Sequence, residues 1–563
     1  MMIEGKTIFH KLWYFLRTYV LILKAFDLFL QGAFLITILL ESNIFLLLRR
    51  DANEGYHSVL VEDYVMMGAA GAEFALGAAV AWWGRGRRQF AVSGWLLATS
   101  ASGLMVLAFP FAKSNPANVE LCGEQTIIDL TTDNNMAART TFLVITAVLC
   151  AITKLSIWAH GLTYLDDHDP QNGPYFYGIL ISIRLSLGLS GTNWLRPSSE
   201  REDWWEAHLS VCMLTFMFAF LFALFPSRMS SFKELEQRRE DVDTGFVSTL
   251  RRLARNKALI TQTLATSCLS TAVLIYVYYD RAYVQARFRI ESIRQDPRTS
   301  RGLSDIFRAL VIIFFVMIFR VRFSARRPDG VKANTASRVA GVIAVFVAIF
   351  FVVLAALGCD TGTMHGLQSD RYLQPACSRT CGCSSERYGF SPVCTLDTGT
   401  TYFSPCHAGC SKYEDLNGFL LFQNCACSSG TLRAVRGSCT LGSCMFVYSA
   451  YQVVYTVMLA VSASSFLMQG MAVIRAVRPS DKVTAVGASL SVVALLSFVI
   501  GHLIYMFISY QTCAYPANGG CLLHAPTLWI ACATSALLAA MAAVGSLVAS
   551  RMPTGLNEPT TEL

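Results

Sequence analysis

The chain is poor in charge: Asp, Glu, Lys and Arg make up 15% of its 563 residues, whereas 54% are hydrophobic. This balance, with a mean hydropathy of +0.45, excludes a large soluble protein. The sequence contains no P-loop, Gly-x-Ser-x-Gly, His-Glu-x-x-His or glycine-rich dinucleotide turn. We therefore expect neither an enzyme nor an ATP-driven pump, and we predict no cofactor and no metal. A cleavable signal peptide and Asn-x-Ser/Thr glycosylation sequons are not evident either.

The sequence contains many long apolar segments with few charged residues. A helix needs about 20 mainly apolar residues to cross a bilayer, and Val339 to Gly358 provides this length without a single charge. We predict an all-α polytopic membrane protein in a lipid bilayer, with about twelve transmembrane helices. The other predicted spans are 19–41, 62–83, 91–110, 141–164, 175–192, 207–225, 258–279, 304–319, 445–474, 483–509 and 526–550.

Basic residues mark one side of this predicted topology. Arg85, Arg87 and Arg88 follow the second span, and the connection 226–257 carries eight Lys or Arg residues. The positive-inside rule places these loops, and by parity both termini, in the cytoplasm. It also accounts for the formal charge of +8 without nucleic-acid binding. The connection 281–302 conflicts with this pattern, because it lies on the predicted outer side and contains six arginines. Either the span count is wrong there or the loop is an exposed basic surface; we follow parity.

Cysteines are concentrated in one connection. Eleven of the 18 lie between Cys359 and Cys444, and this density is typical of oxidising compartments. On the predicted topology the external cysteines number 14, an even total, and the other four lie inside spans. The predicted disulfide cysteines are Cys122, Cys359, Cys377, Cys381, Cys383, Cys394, Cys406, Cys410, Cys425, Cys427, Cys439, Cys444, Cys513 and Cys521.

Two of these spacings also have a zinc interpretation. Cys381-x-Cys383 and Cys425-x-Cys427 place thiols close together, as a zinc site requires. Exported thiols are normally oxidised, so we favour disulfides over metal.

The segment from Pro392 to Cys410, PVCTLDTGTTYFSPCHAGC, resembles a Kazal module. Its ending resembles the form found in the organic anion transporting polypeptides, a solute carrier family of the major facilitator superfamily. In that family a Kazal-like loop lies between spans nine and ten, which is its predicted place here. The segment GLTYLDD after span four, Phe225-Pro226 after span six and GRGRR at 84–88 are similar to further family motifs.

The resemblance implies two six-helix halves around a central cavity that opens alternately to each side. It also implies sodium-independent transport of amphipathic organic anions across the plasma membrane. The implied domains are the N-terminal half 1–225, a cytoplasmic linker 226–257, spans seven to nine in 258–358, the Kazal-like loop 359–444, spans ten to twelve in 445–550 and a cytoplasmic tail 551–563.

The chain departs from the family pattern at three places. The tryptophan-rich signature before span six is reduced to DWWEAH at 203–208, and the usual Pro-His after span three reads Pro110-Phe111. Span eleven, 483–509, lacks the basic residue common in the family, and His502 is its only titratable candidate. We interpret the chain as a divergent member.

Ionisable residues inside predicted spans are the candidates for a substrate pathway, because burying a charge in a membrane costs several kcal/mol. From these we take Glu73, Lys154, Arg184, Arg308 and His502 as the candidates. A large organic anion at mid-membrane depth needs a compensating cation, and Lys154 and Arg184 are the deepest cations of the N-terminal half. An alternative is that Arg184 only neutralises Glu73.

Two other functions remain open at this point. The cysteine-rich loop resembles a protease inhibitor, and the chain could instead be a receptor or scaffold that does not transport. The last residues, Thr561-Glu562-Leu563, fit the carboxylate-terminated motif that PDZ domains bind, so a PDZ-domain protein is a predicted partner.

Overall fold

The computed structural model of this chain describes residues 22–54, 60–109, 120–123, 136–169, 204–226, 245–289, 309–318, 321, 331–359, 364–368, 371–383, 389–416, 419–439, 441–517 and 520–553. Ten helices within these residues are long and apolar enough to cross a membrane. The prediction of a mostly helical, multi-span chain is therefore confirmed.

Five of these helices form the N-terminal half. They are α1 (Leu23–Glu54), α2 (Leu60–Trp83), α3 (Arg88–Val106), α4 (Met136–His168, with a π-helical turn at Ile157–Leu162) and α5 (Trp204–Leu224). A short amphipathic helix, α6 (Phe246–Arg255), follows in the connection between the halves.

The C-terminal half contains the other five spans and one shorter helix. They are α7 (Lys257–Phe288), the short α8 (Ala309–Ile318), α9 (Ala333–Ala356), α10 (Leu441–Arg475), α11 (Pro479–Gln511, π-helical at Ala494–Gly501) and α12 (Trp529–Ala549). Helix α9 packs between α10 and α12.

The first span is longer than its sequence suggested. We predicted 19–41 and the helix continues to Glu54, because Glu41 lies inside the helix, buried and paired with Lys154, and does not end it. Predicted span five, 175–192, lies outside the described residues. Of predicted span eight, 304–319, the structure describes residues 309–318, which form the helix α8.

The arginine-rich connection was also misjudged in part. Helix α7 runs through Arg281 and Arg287 to Phe288, so these two arginines belong to a helix and not to a loop. The Arg287 guanidinium donates to the carbonyl oxygens of Ala355 and Leu357, both at 3.4 Å, at the end of α9. Cations stabilise helix C-termini in this way.

The two halves meet where α2 packs against α11. A Cβ atom at Gly77 would collide with Ser491 and Leu155, and one at Gly487 would collide with Ala81. Small residues allow helix backbones to approach closely in a membrane, and the glycine- and alanine-rich sequence of α2 serves this contact.

The described residues between Cys359 and Cys444, called the knob below, are arranged around an antiparallel five-stranded sheet. The strands of the knob are β1 (Leu367–Gln368), β2 (Arg371–Tyr372), β3 (Val393–Thr395), β4 (Thr401–Tyr402), β5 (Lys412–Leu416), β6 (Phe419–Gln423) and β7 (Arg433–Arg436). The order of strands in the sheet is β4-β3-β7-β6-β5. The side of the helical bundle that carries the knob is called the knob side.

Seven disulfides join all 14 of the cysteines that the sequence placed outside. The bonds are Cys122–Cys381, Cys359–Cys444, Cys377–Cys427, Cys383–Cys406, Cys394–Cys439, Cys410–Cys425 and Cys513–Cys521. The cysteines considered for zinc are bonded in this way, so they are not thiolate ligands. The four free cysteines, Cys150, Cys212, Cys268 and Cys532, lie within helices.

The knob is attached to both halves. Cys359–Cys444 closes its base between α9 and α10, and Cys122–Cys381 ties it to the connection between α3 and α4. A hairpin of β8 (Cys513–Ala517) and β9 (Gly520–His524) rises from the end of α11. Its Tyr515 packs on Tyr372 of the knob, with ring centroids 4.7 Å apart.

Candidate functional site

A cavity that is partly open to solvent lies between the two halves. Its walls come from α1, α2, α4, α7 and α11, so the junction of the halves shapes it. The described lining residues are Glu41, Phe45, Glu62, Met66, Ala69, Ala70, Glu73, Ala151, Lys154, Tyr278 and Phe498.

Helix α2 supplies most of one wall because of its periodicity. Glu62, Met66, Ala69 and Glu73 recur at intervals of three and four residues, which places them on one helical face. The small Ala69 leaves room, while the two glutamates make this face polar. The arrangement is typical of a helix that lines a polar pathway through a membrane protein.

Lys154 lies near the middle of α4 and forms an ion pair with Glu41 of α1. The side chains are 13% and 8% exposed, so both charges are largely removed from solvent. Because the two charges attract each other, each offsets part of the free-energy cost of removing the other from water. Lys154 is therefore a paired cation at the cavity wall.

On the knob side of the cavity, polar groups connect the halves. The Tyr278 hydroxyl of α7 donates to Oδ1 of Asp63 on α2, at 2.6 Å. His502 of α11 places Nε2 3.3 Å from the same oxygen. Asp63 belongs to the N-terminal half and the other two residues to the C-terminal half. We call these three residues the knob-side layer.

An ion-pair network connects the halves at the opposite end of the same helices. Asp166 of α4 accepts from Arg475 at 2.7 Å and from Lys482 at 2.6 Å. Asp167 contacts Lys482 at 3.2 Å and Arg88, which begins α3, at 2.8 Å. We call these five residues the opposite-side layer.

Helix α6 adds a further contact on that side. Arg252 donates from Nε and Nη2 to the two oxygens of Asp481, each at 2.8 Å. This paired geometry fixes orientation as well as charge. The connection between the halves thus attaches to the start of α11.

The sequence-predicted site residues divide into three groups. Glu73 and Lys154 line the cavity, and His502 lies one helical turn beyond the lining residue Phe498. Arg184 and Arg308 lie outside the described residues, as does the predicted PDZ-binding end, 561–563. The alternative in which Arg184 neutralises Glu73 is for that reason still a prediction.

Sequence reasoning missed Glu41, Glu62, Asp63 and Tyr278. Glu41 is the last residue of predicted span one, and Glu62 and Asp63 are the first two residues of predicted span two, and none of them was named as a candidate. An available signal was the spacing of Glu62 and Glu73, eleven residues or about three helical turns apart on one face.

A cavity lined by charged residues between two helical halves, with a disulfide-bonded domain on one side, defines a polytopic helical membrane protein. Residues 201–524 match the sequence model of the Organic Anion Transporter Polypeptide (OATP) family. This match covers more than half of the chain, which therefore belongs to that family.

Individual relatives agree with this assignment. Solute carrier organic anion transporter family member 74D of Drosophila melanogaster is 23% identical over 405 residues, 64% of this chain and 47% of that protein. Member 6C1 of Mus musculus is 22% identical over 488 residues, 74% of this chain and 66% of that protein. Member 2B1 of Mus musculus is 28% identical over 177 residues, 30% and 26% of the two chains. The chain thus spans about half the length of the Drosophila relative.

Among solved structures, the chain is similar to the major facilitator superfamily proton:xylose symporter XylE bound to 6-bromo-6-deoxy-D-glucose. The TM-score is 0.49 at 11% sequence identity, over 92% of this chain and 95% of that one.

Proposed function

We propose that this chain is a membrane transporter that moves amphipathic organic anions across the plasma membrane, independently of sodium. The observation that carries the proposal is a cavity at the junction of two helical halves, with cross-half polar contacts on both sides of it. The family membership adds the substrate class.

The two layers favour alternating access as the mechanism. Opening toward the knob side requires the separation of Asp63 from His502 and Tyr278, whereas opening toward the other side requires the separation of Asp166 from Lys482 and Arg475. Each layer is built from groups on different halves, so rocking of the halves can break one layer while the other stays closed.

Lys154 is the group we propose for the substrate's charge. An organic anion that enters the cavity loses water and contacts the Lys154 ammonium instead. Before the anion binds, the ion pair with Glu41 holds this ammonium in place. When the substrate leaves, the Glu41 carboxylate pairs with Lys154 again. The lysine charge therefore has a negatively charged partner before and after binding, which makes binding reversible.

The proposed topology places the knob outside the cell and both termini in the cytoplasm. Seven disulfides support the external position, because disulfides persist in oxidising compartments. The opposite-side layer then faces the cytoplasm, next to the basic loops. We keep the domain limits predicted from the sequence as part of this proposal.

The knob is proposed to be a Kazal-like domain. Asp397, in the Asp-x-Gly turn of the pattern, accepts from the backbone amides of Gly430 and Thr431 at 3.2 and 2.7 Å. Tyr402 of the same pattern donates to the carbonyl oxygen of Cys427 at 3.2 Å. Both residues stabilise the small sheet.

Inhibition of trypsin by the isolated knob would favour the alternative function, that of an extracellular protease inhibitor.

Uptake of a labelled steroid sulfate into cells that express the full chain tests the transport proposal. We expect saturable uptake above that of untransfected cells, unchanged when external sodium is replaced by choline. The matched control is Lys154→Gln at equal surface expression. Uptake equal to the background, with the chain at the cell surface, would contradict the proposal.

A further inference from the structure

His502 is completely buried in a membrane-spanning helix, and neither of its ring nitrogens makes a hydrogen bond of regular geometry within the described residues. Its Nε2 nevertheless lies 3.3 Å from Oδ1 of Asp63. A buried imidazole that faces a carboxylate at this distance can gain a strong interaction by binding one proton.

The titratable groups around this ring are few. Asp63 faces it from α2, and Glu62, the preceding residue, lies on the cavity wall. Tyr278 and Tyr279 face it from α7, with ring centroids 5.3 and 5.6 Å from the imidazole. Among the described residues no lysine or arginine contacts the Asp63 carboxylate, so a protonated His502 would be its cation.

We propose that His502 is a proton-binding site and that its protonation latches the two halves together on the knob side. The pair joins opposite halves, Asp63 on α2 and His502 on α11. Protonation adds a positive charge to the imidazole, so its contact with the Asp63 carboxylate becomes an ion pair between the two halves. It therefore favours the state in which the halves touch on the knob side.

The range of external pH for the test is chosen from the general chemistry of imidazole, the side chain that ordinarily changes its charge between about pH 5 and 8. The latch thus closes as the solution becomes more acidic. This inference rests on the proposed movement of the halves, but it can be tested without a transported substrate.

The test measures access to the cavity from the knob side. Met66 lines the cavity and is half-buried, so Met66→Cys places a thiol behind the latch. A membrane-impermeant thiol reagent is applied to intact cells at external pH values of about 7.5 and 5.5. The rates are normalised to a Tyr413→Cys variant, whose thiol lies on the exposed surface of the knob, to cancel the pH dependence of the reagent.

We expect the normalised modification of Met66→Cys to slow by about threefold to tenfold at the lower pH. Adding His502→Gln should abolish this effect. His208→Gln is the matched control, because the described partners of that buried histidine, Asn43 and the Gly103 carbonyl at 2.8 Å and the Cys212 sulfur at 3.7 Å, all lie in the N-terminal half. It should leave the pH effect intact.

Three results would overturn the proposal: no slowing in the Met66→Cys background, equal slowing with His502→Gln, or loss of slowing with His208→Gln. If His502→Gln does not reach the surface, Asp63→Asn provides the same test. It retains the imidazole and removes the carboxylate, and persistent pH dependence in that variant would equally refute the latch.

Discussion

Asp166 and Lys482 lie 2.6 Å apart, between Oδ2 and Nζ, although 316 residues separate them in sequence. Asp166 is completely buried in the last turn of α4, while Lys482 lies at the start of α11. The contact fixes one end of the junction between the halves. Arg475 adds a second cation to the same carboxylate, so this aspartate is the centre of the opposite-side layer.

Asp166→Asn should destabilise the protein strongly. The substitution leaves two cations without their buried carboxylate, and breaking such a pair costs about 3–5 kcal/mol. Asp481→Asn is the comparison, because its partner Arg252 is 28% exposed and solvent compensates part of the loss. Thermal unfolding of the purified variants measures the difference; equal losses would show that burial of the network is unimportant.

Gly487→Ala should weaken the junction between α2 and α11. The new methyl group would meet Ala81 and the carbonyl oxygen of Gly77, and overpacking of this kind costs about 1–3 kcal/mol. Gly71→Ala is the matched control, because no atom lies within 4 Å of the position of its Cβ. The melting temperature should fall only in the first variant, and a similar fall in both would refute close helix contact as the cause.

Acid should loosen the knob through His407. This side chain is buried beside Phe403 and Tyr372, and burial lowers its pKa from 6.5 to about 4. The unfolded knob therefore binds a proton that the folded knob excludes, so stability falls as the pH drops from about 6.5 to about 4.

Limited proteolysis of the knob across that pH range measures this loss. His407→Gln should flatten the acid dependence, whereas substitution of the exposed His365 should not. His524, in β9, also has its pKa lowered to about 4 by burial, so some acid sensitivity will remain. An unchanged profile in His407→Gln would contradict this explanation.

Non-permeant thiol reagents should label few of the 14 cysteines that we propose to be external in intact cells before reduction, because all of them are in disulfides. Labelling should increase after a reducing agent is added. Cys150, Cys212 and Cys532 are buried in helices and serve as the unreactive background. Extensive labelling of the mature surface protein without reduction would refute the disulfide framework.

Much of the fold follows from local features of the sequence. Uninterrupted apolar length identifies a helix such as α9, because the bilayer demands that length and no partner has to be known. Cysteine density and an even external total indicate a disulfide-bonded domain in the same way. Neither feature indicates which cysteines pair. Cys122–Cys381 joins residues 259 positions apart, and only the folded chain brings them together.

The site was harder to predict for a physical reason. A charge inside an apolar segment usually ends a predicted span, yet Glu41 is tolerated because Lys154 neutralises it from another helix. That compensation depends on tertiary contact, so the sequence of α1 alone gives no sign of it. Lys154 was identified from its depth, while its partner was not.

The central claim is that the Lys154 charge binds the transported anion, and uptake of a steroid sulfate by proteoliposomes with purified variants tests it most directly. Lys154→Gln should reduce uptake by about tenfold, and Lys154→Arg should retain more activity. The double variant Glu41→Gln with Lys154→Gln removes both buried charges, so it should recover thermal stability but not uptake. Recovery of both stability and uptake in the double variant would contradict the claim and show that the ion pair is only structural.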